Sequence, residues 1–207
     1  MTDLLDRARA LAARPGPALL GIAGAPGSGK STLAEHLAAR VEGAVHVPMD
    51  GFHLADVALD RLGRRDRKGA PDTFDAAGYL ALLRRLRSGE PGTVWAPAFE
   101  RELEQPLAGA IGVPPDARLI VTEGNYLLLP DDPWPAVAAE LDEVWFCDLR
   151  EDLRLDRLVA RHIRFGKAPA EAAEWAERVD GPNAVRVRAT RDRATLVLPS
   201  EDLEALG

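Results

Sequence analysis

Glycine, lysine and hydroxyl side chains stand at the spacing Gly-x-x-x-x-Gly-Lys-Ser in Gly24-Ala25-Pro26-Gly27-Ser28-Gly29-Lys30-Ser31. Residue types in that order hold a polyphosphate. Glycines let the chain turn so tightly that successive backbone N–H groups face one centre, and the next helix adds its positive N-terminal end. Lys30 then reaches the β- and γ-phosphates, and the Ser31 hydroxyl serves a Mg²⁺ ion. The nucleotide-binding set predicted from this loop is Gly24, Ala25, Pro26, Gly27, Ser28, Gly29, Lys30, Ser31 and Thr32, with ATP and Mg²⁺ as cofactors.

Two carboxylates complete the chemistry. Asp50 follows the apolar segment Ala44 to Met49, and Glu123 follows Arg118 to Thr122, so both close predicted strands. An alcohol acceptor needs a carboxylate near the γ-phosphate to take its proton, which suits Asp50. A second carboxylate at the metal or its water shell suits Glu123, so Ser31 and Glu123 are the predicted metal ligands. Phe52 and His53, directly after Asp50, are placed at the wall of the acceptor pocket. The structural alternatives are an Asp50 that caps its own turn and a His53 that only packs. Phosphoryl transfer spreads negative charge over equatorial oxygens and asks for cations. Arg154, Arg157, Arg161 and Arg164 fall three or four apart and share one helix face, which fits a lid over phosphates. A solvated face paired with Glu151, Asp152 and Asp156 is the alternative. His36, His46 and His162 show no partner pattern and read as structural or solvated.

The elements that must position these groups alternate. An amphipathic helix over residues 3–14 precedes a strand from Ala18 to Ala23, and the helix after the glycine loop carries Leu33, Leu37 and Val41 on one side. Further strands are predicted over 44–49, 118–122, 143–149 and 194–198, separated by helical segments. Strand and helix in alternation build a parallel sheet by right-handed crossovers, with ligands at the C-terminal strand ends. The predicted fold is therefore α/β: a P-loop NTPase fold with a five-stranded parallel sheet, helices on both faces, a helical lid and a substrate-side insertion. One domain spans 1–207. Within it, residues 51–117 form the substrate-binding insertion, with a helix over 75–88 and a hairpin-like arm over 93–105; residues 150–181 form the lid and the helix beginning at Glu171.

Composition narrows the partners. A chain of 207 residues with net charge −7 lacks the basic footprint of a nucleic-acid or anionic-membrane binder, so a small molecule is expected. Acidic residues in the first six positions and the lack of a long apolar run predict a cytoplasmic protein without a membrane partner. The single cysteine, Cys147, lies in an apolar run and reads as a buried structural thiol. Only Lys30, Lys68 and Lys167 are lysines among 26 basic residues, each beside a glycine. A homodimer is left open.

The order of Gly24 to Thr32, Met49-Asp50-Gly51-Phe52-His53, Lys68 to Asp75, Pro97-Ala98-Phe99-Glu100-Arg101, Val121-Thr122-Glu123-Gly124 and the arginine helix resembles the uridine kinase, phosphoribulokinase and bacterial pantothenate kinase superfamily. It is most similar to bacterial nucleoside/nucleotide kinase family proteins, some described as fructose transport system kinases. The resemblance covers residues 18–198. It implies that Asp50 is the general base, that Glu123 assists Mg²⁺, that Arg157 and Arg161 contact phosphates, and that Phe99 and Arg101 bind the acceptor. Uridine kinases carry an acidic residue and a histidine before the Pro-Asp of the substrate loop; Gly69-Ala70 stands there in this chain and argues against a pyrimidine nucleoside.

The expected activity is transfer of the γ-phosphoryl group of ATP to a hydroxyl of a small metabolite: a sugar, a nucleoside or a pantothenate-like compound. Two alternatives stay open. A nucleoside monophosphate kinase would use Arg64, Arg65 and Arg67 on an anionic acceptor, and a P-loop ATPase would have no small-molecule acceptor at all. A regulatory GTPase would need an Asn-Lys-x-Asp guanine reader, and no lysine here follows an asparagine.

Overall fold

The computed structural model describes residues 2–204. In chain order the elements are α1 (Thr2–Ala12), β1 (Ala18–Gly24), α2 (Lys30–Ala38), β2 (Ala44–His46), a 3-10 turn (Met49–Phe52), α3 (Asp56–Leu62), α4 (Ala76–Ser88), β3 (Val94–Glu100), β4 (Gln105–Val113) and β5 (Leu119–Gly124). Beyond these lie α5 (Trp134–Ala139), β6 (Glu143–Asp148), α6 (Glu151–Arg164), α7 (Pro169–Trp175), a π-helical segment (Ala176–Asp180), α8 (Gly181–Arg188), β7 (Leu196–Pro199) and α9 (Ser200–Glu204). Among the described residues no helix is long and apolar enough to cross a membrane.

Every residue of β1 is buried, as expected of a central parallel strand covered on both faces. The five-stranded sheet runs β2-β5-β1-β6-β7, and all its pairings are parallel, with Leu20 beside Val121 on one flank and Ile22 beside Trp145 on the other. Alternation along the strands divides the core in two. Leu19, Ala23, Ile120 and Phe146 pack with α4, α5 and Val187 on one face. Leu20, Ile22, Val121 and Trp145 pack with α1, α2 and α9 on the other. The chain leaves β1 towards β2 and β5 and later returns on the opposite side to β6. The C-terminal end of β1 is thus a switch point where a crevice opens.

The sequence reading differs from the fold in several places. The strand expected over 44–49 ends at His46, and Met49–Phe52 forms the 3-10 turn instead. The arm is a full antiparallel hairpin of β3 and β4 that reaches Val113, because Val94 pairs with Val113 although β4 is rich in Gly and Ala. The helix expected from Glu171 to Asp180 starts at Pro169 and runs on through the π-helical segment to Arg188, so a boundary at 181 falls within a continuous helical run. Val187 roots that run in the core. The fifth strand starts at Leu196 rather than Ala194.

Candidate active site

β1 delivers the chain to the glycine loop and α2 takes it away. Gly27 (φ 84°) and Gly29 (φ 91°) adopt the left-handed region, which a side chain would strain, and Gly29 is the N-cap of α2. Lys30 is buried, and its Nζ donates to the Ala25 carbonyl at 3.1 Å, so the ammonium lies folded against the loop. The Ser28 hydroxyl is buried without a hydrogen-bond partner among the described residues. Ser31 Oγ donates to Glu123 Oε1 at 2.9 Å. A buried ammonium, an orphaned hydroxyl and left-handed glycines at a helix start fit a polyphosphate, and the Ser31–Glu123 pair fits a hard cation. Among the described residues no cluster of three or more His, Cys, Asp or Glu encloses a metal. Two protein ligands are enough for Mg²⁺, which keeps water and substrate phosphates in its shell.

Asp50 sits in the 3-10 turn after β2. That turn is held from below by a Thr122 hydroxyl donating to the Val47 carbonyl (2.6 Å) and from the side by the Asp75 N–H donating to the Phe52 carbonyl (2.8 Å). It also packs directly on the hairpin, since a Cβ on Gly51 would lie 2.7 Å from the carbonyl carbon of Pro97 and closer still to its oxygen. Asp50 Oδ2 accepts from Arg101 Nη2 at 3.2 Å. Two cavities meet at this carboxylate. One of about 230 Å³ is lined by Ser31, Glu35, His46 and Glu123, the other of about 410 Å³ by His53, Lys68, Phe74 and Arg161; Asp50, Phe99 and Arg101 line both.

Charge in this crevice is mutually adjusted. Burial pushes the Lys30 ammonium down from its ordinary value, opposed by Glu123 and Asp50. Burial pushes Glu123 up, aided by Asp50 and opposed by Lys30 and the Ser31 hydroxyl. Burial would also raise Asp50, but its neighbours His53, Arg101, Lys30 and Arg161 together outweigh it, so the carboxyl lies below its usual value and Asp50 carries the charge. His53 is pushed down from its ordinary value by burial, opposed by the charge and the carbonyl of Asp50. Its Nδ1–H donates to the Asp50 carbonyl at 2.8 Å, which fixes the tautomer with Nε2 free. Burial pushes the Cys147 thiol up to about 12, which makes it inert and agrees with a structural role.

His53 lies against Phe74 (centroids 4.0 Å apart) and Phe99 (4.7 Å), its ring tilted by 43° and 46° to theirs, so packing and pocket wall are one arrangement. Phe52 does not join it. Its ring lies on Tyr79 at 5.2 Å and packs on the core, and it lines neither cavity, which corrects its placement as an acceptor residue. Successive residues of a tight turn point apart, so Phe52 and His53 cannot both face the pocket. Arg101 lies near the rings of Phe99 (6.0 Å) and Phe165 (5.9 Å), which bridges the hairpin to the end of α6.

The four arginines of α6 divide. Arg154 is 1% exposed, donates to the Pro26 carbonyl at 2.7 Å and forks onto Glu151 at 2.8 and 2.7 Å, so it fastens the helix to the glycine loop and is no part of a phosphate-facing row. Arg157 Nη1 would lie 3.7 Å from a Cβ on Gly29, beside the loop. Arg161 lines the larger cavity, and Arg164 turns onto the Phe165 ring. Among the described residues neither Arg157 nor Arg161 forms an ion pair. Arg64 and Arg67 bind Asp72, and Arg65 binds Asp56 and Asp60, so the cations that an anionic acceptor would use are held by nearby carboxylates.

Three features escaped the sequence. His162 Nε2 meets Asp180 Oδ2 at 2.9 Å in the larger cavity, a pairing across eighteen positions that no local spacing announces. Lys68 Nζ binds Asp56 Oδ1 at 2.7 Å and also the Glu104 carbonyl, joining the substrate loop to the hairpin. His46 lines the smaller cavity with Nε2 buried and unpartnered among the described residues. The scarcity of lysine did point towards Lys68.

A family model described as phosphoribulokinase / uridine kinase family matches residues 19–167. The chain is 36% identical over 179 residues to the uncharacterized protein YggC of Escherichia coli (strain K12), covering 84% of this chain and 73% of that one. It is 34% identical over 188 residues to C227.14 of Schizosaccharomyces pombe (strain 972 / ATCC 24843), provisionally named a uridine kinase, covering 86% and 80%. A solved structure from Silicibacter sp. TM1040, provisionally assigned as a fructose transport system kinase, superposes with a TM-score of 0.85 at 36% identity over 95% of this chain and 96% of that one.

Proposed function

The chain belongs to the phosphoribulokinase/uridine kinase family, and from that premise we propose that it transfers the γ-phosphoryl group of ATP to a hydroxyl of a small metabolite such as a sugar, a nucleoside or a pantothenate-like compound. One observation carries this reading: Asp50, charged and held in a tight turn, lines both the cavity that contains Ser31 and Glu123 and the larger cavity beside it. A carboxylate at that junction meets the donor phosphate on one side and the acceptor hydroxyl on the other.

In this reading Gly24 to Thr32 wrap the triphosphate, and Lys30, Arg157 and Arg161 neutralise charge on the transferring group. Ser31 and Glu123 hold Mg²⁺, which supplies further electrostatic stabilisation when bound. Asp50 takes the acceptor proton as that oxygen bonds to phosphorus and the bond to the ADP oxygen breaks. Arg101 must yield Asp50 to the acceptor, so its ion pair keeps the carboxylate charged and oriented until then. His53 and Phe99 offer flat walls to the acceptor. Residues 51–117 act as the acceptor-binding insertion, and the distal half of α6 with α7 acts as a lid, since the proximal half is fixed to the loop through Arg154.

The arginines that favoured a nucleoside monophosphate acceptor, Arg64, Arg65 and Arg67, are paired with Asp56, Asp60 and Asp72, so an anionic acceptor would have to displace those carboxylates. Asp50→Asn tests the proposal: kcat should fall by about 10²- to 10⁴-fold while thermal protection by ATP persists. Normal turnover in that variant removes the base assignment.

A further inference from the structure

Besides Asp50, the larger cavity is lined by the carboxylate residues Asp56, Glu104 and Asp180; Asp56 is held by Lys68 and Arg65, and Asp180 is paired with a histidine instead. Asp180 ends the π-helical segment, and its Oδ2 lies 2.9 Å from His162 Nε2, the two side chains 14% and 17% exposed. Both line the 410 Å³ cavity together with Asn125 and Asp50. A π-helical segment is rare and costs hydrogen-bond geometry, and it is found mostly at functional sites. Its extra residue rotates the helix beyond it by about 100° relative to an unbroken α-helix. Here that rotation accompanies the delivery of Asp180 to the cavity wall.

The pair links α6 to the helical run 169–188, and a purely structural clamp would account for that much. It would not require the carboxylate to face the cavity that contains Asp50. With one oxygen on His162, an ionised Asp180 keeps most of its acceptor sites free. The rest of the lining offers an amide at Asn125 and the rings of His53, Phe74, Phe99 and Trp175, the last with Lys167 Nζ 4.7 Å from its centre, beside the cations Arg65, Lys68, Arg101 and Arg161, of which the first three are paired with Asp56 or Asp50. Acceptor oxygens that receive hydroxyl protons, set beside flat apolar rings, suit a ligand with several hydroxyls on one edge and C–H groups on its face.

Building on the kinase reading, we propose that Asp180, held in place by His162, binds a second hydroxyl of the acceptor, so that the acceptor is a polyhydroxyl compound, a sugar or a linear polyol. Asp50 addresses the hydroxyl that is phosphorylated, and Asp180 selects for the one that is not.

The test is acceptor-dependent ADP release with Mg-ATP over fructose, ribose, ribitol and glycerol, with glycolate as a single-hydroxyl control, in the full chain and in Asp180→Asn and His162→Gln. Turnover should need more than one hydroxyl, and Asp180→Asn should raise the acceptor KM by at least about 10-fold, a larger factor than its loss in kcat, as loss of a charged hydrogen bond predicts. The mono-deoxy analogue of the active compound should cost the parent enzyme a similar factor and cost Asp180→Asn nothing further. His162→Gln, whose amide can still donate to Asp180, should keep more of the acceptor affinity than His162→Leu. An unchanged KM in Asp180→Asn, or a lowered thermal midpoint with no KM effect, overturns the proposal in favour of a clamp. Turnover of glycolate as good as that of the polyols overturns it and leaves the kinase reading intact. ADP release that responds to none of the compounds overturns it too, and the Asp50 and Lys30 variants then judge the kinase reading through ATP binding.

Discussion

Arg154 separates two roles that one helix face could play. Replacing it by leucine keeps much of the buried volume but removes the donor to Pro26 and the fork on Glu151. Leaving a buried carbonyl unpaired costs about 1–3 kcal/mol. Glu151 is 43% exposed and also bound by Arg188, so its lost ion pair adds less than about 1 kcal/mol. With imperfect repacking the total is about 3 kcal/mol. At about 2.1 cal/mol/K per residue over the 207 residues, that lowers the melting temperature by about 7 °C. Differential scanning fluorimetry of Arg154→Leu, with Arg154→Lys as a partner that can donate to Pro26 without forking, measures it; the lysine variant should fall between. ATP protection should weaken as well, because the loop loses its fastening to α6. A melting temperature within about 2 °C of the parent, together with abolished turnover, would refute this reasoning and return Arg154 to the phosphates.

Lys30→Ala should abolish the rise in melting temperature that Mg-ATP gives the parent enzyme, and unaltered protection would show that the ammonium does not reach the nucleotide. His46, pushed by burial down to about 4, stays neutral in the folded chain while the unfolded chain takes up a proton near 6.5. Its contribution to stability is therefore complete above about pH 6.5, falls as the pH drops, and reaches a loss of about 3 kcal/mol by pH 4. His46→Asn should flatten the melting curve between those values, and parallel pH profiles for the two proteins would contradict it.

Contiguous features were legible in the sequence. The glycine loop, the wholly buried β1 before it and α2 behind it occupy one unbroken stretch, and Glu123 stands at the end of β5, whereas Asp50 lies past the end of β2 in the 3-10 turn. The features that escaped were set by tertiary contacts. Even spacing put Arg154, Arg157, Arg161 and Arg164 on one side of α6, but which meets a carbonyl, a cavity or solvent depends on the loop docked against the helix. β4 has only Ile111 and Val113 as strong strand formers among its glycines and alanines, and pairing with β3 completes it. Phe52 and His53 are adjacent and apolar enough to share a wall, and only the turn's geometry sends one ring into the core. The His162–Asp180 pair depends on a π-helical segment that no periodicity marks.

Gly51 and Pro97 touch backbone to backbone, and main-chain atoms in such contact have no rotamers through which to absorb a displacement. Asp50 and the arm are therefore mechanically one part. A displacement of the hairpin is passed to the turn that carries Asp50, whereas the glycine loop is fastened to α6 through Arg154. Under the proposed function, the position of Asp50 relative to the phosphates would follow the lean of the arm.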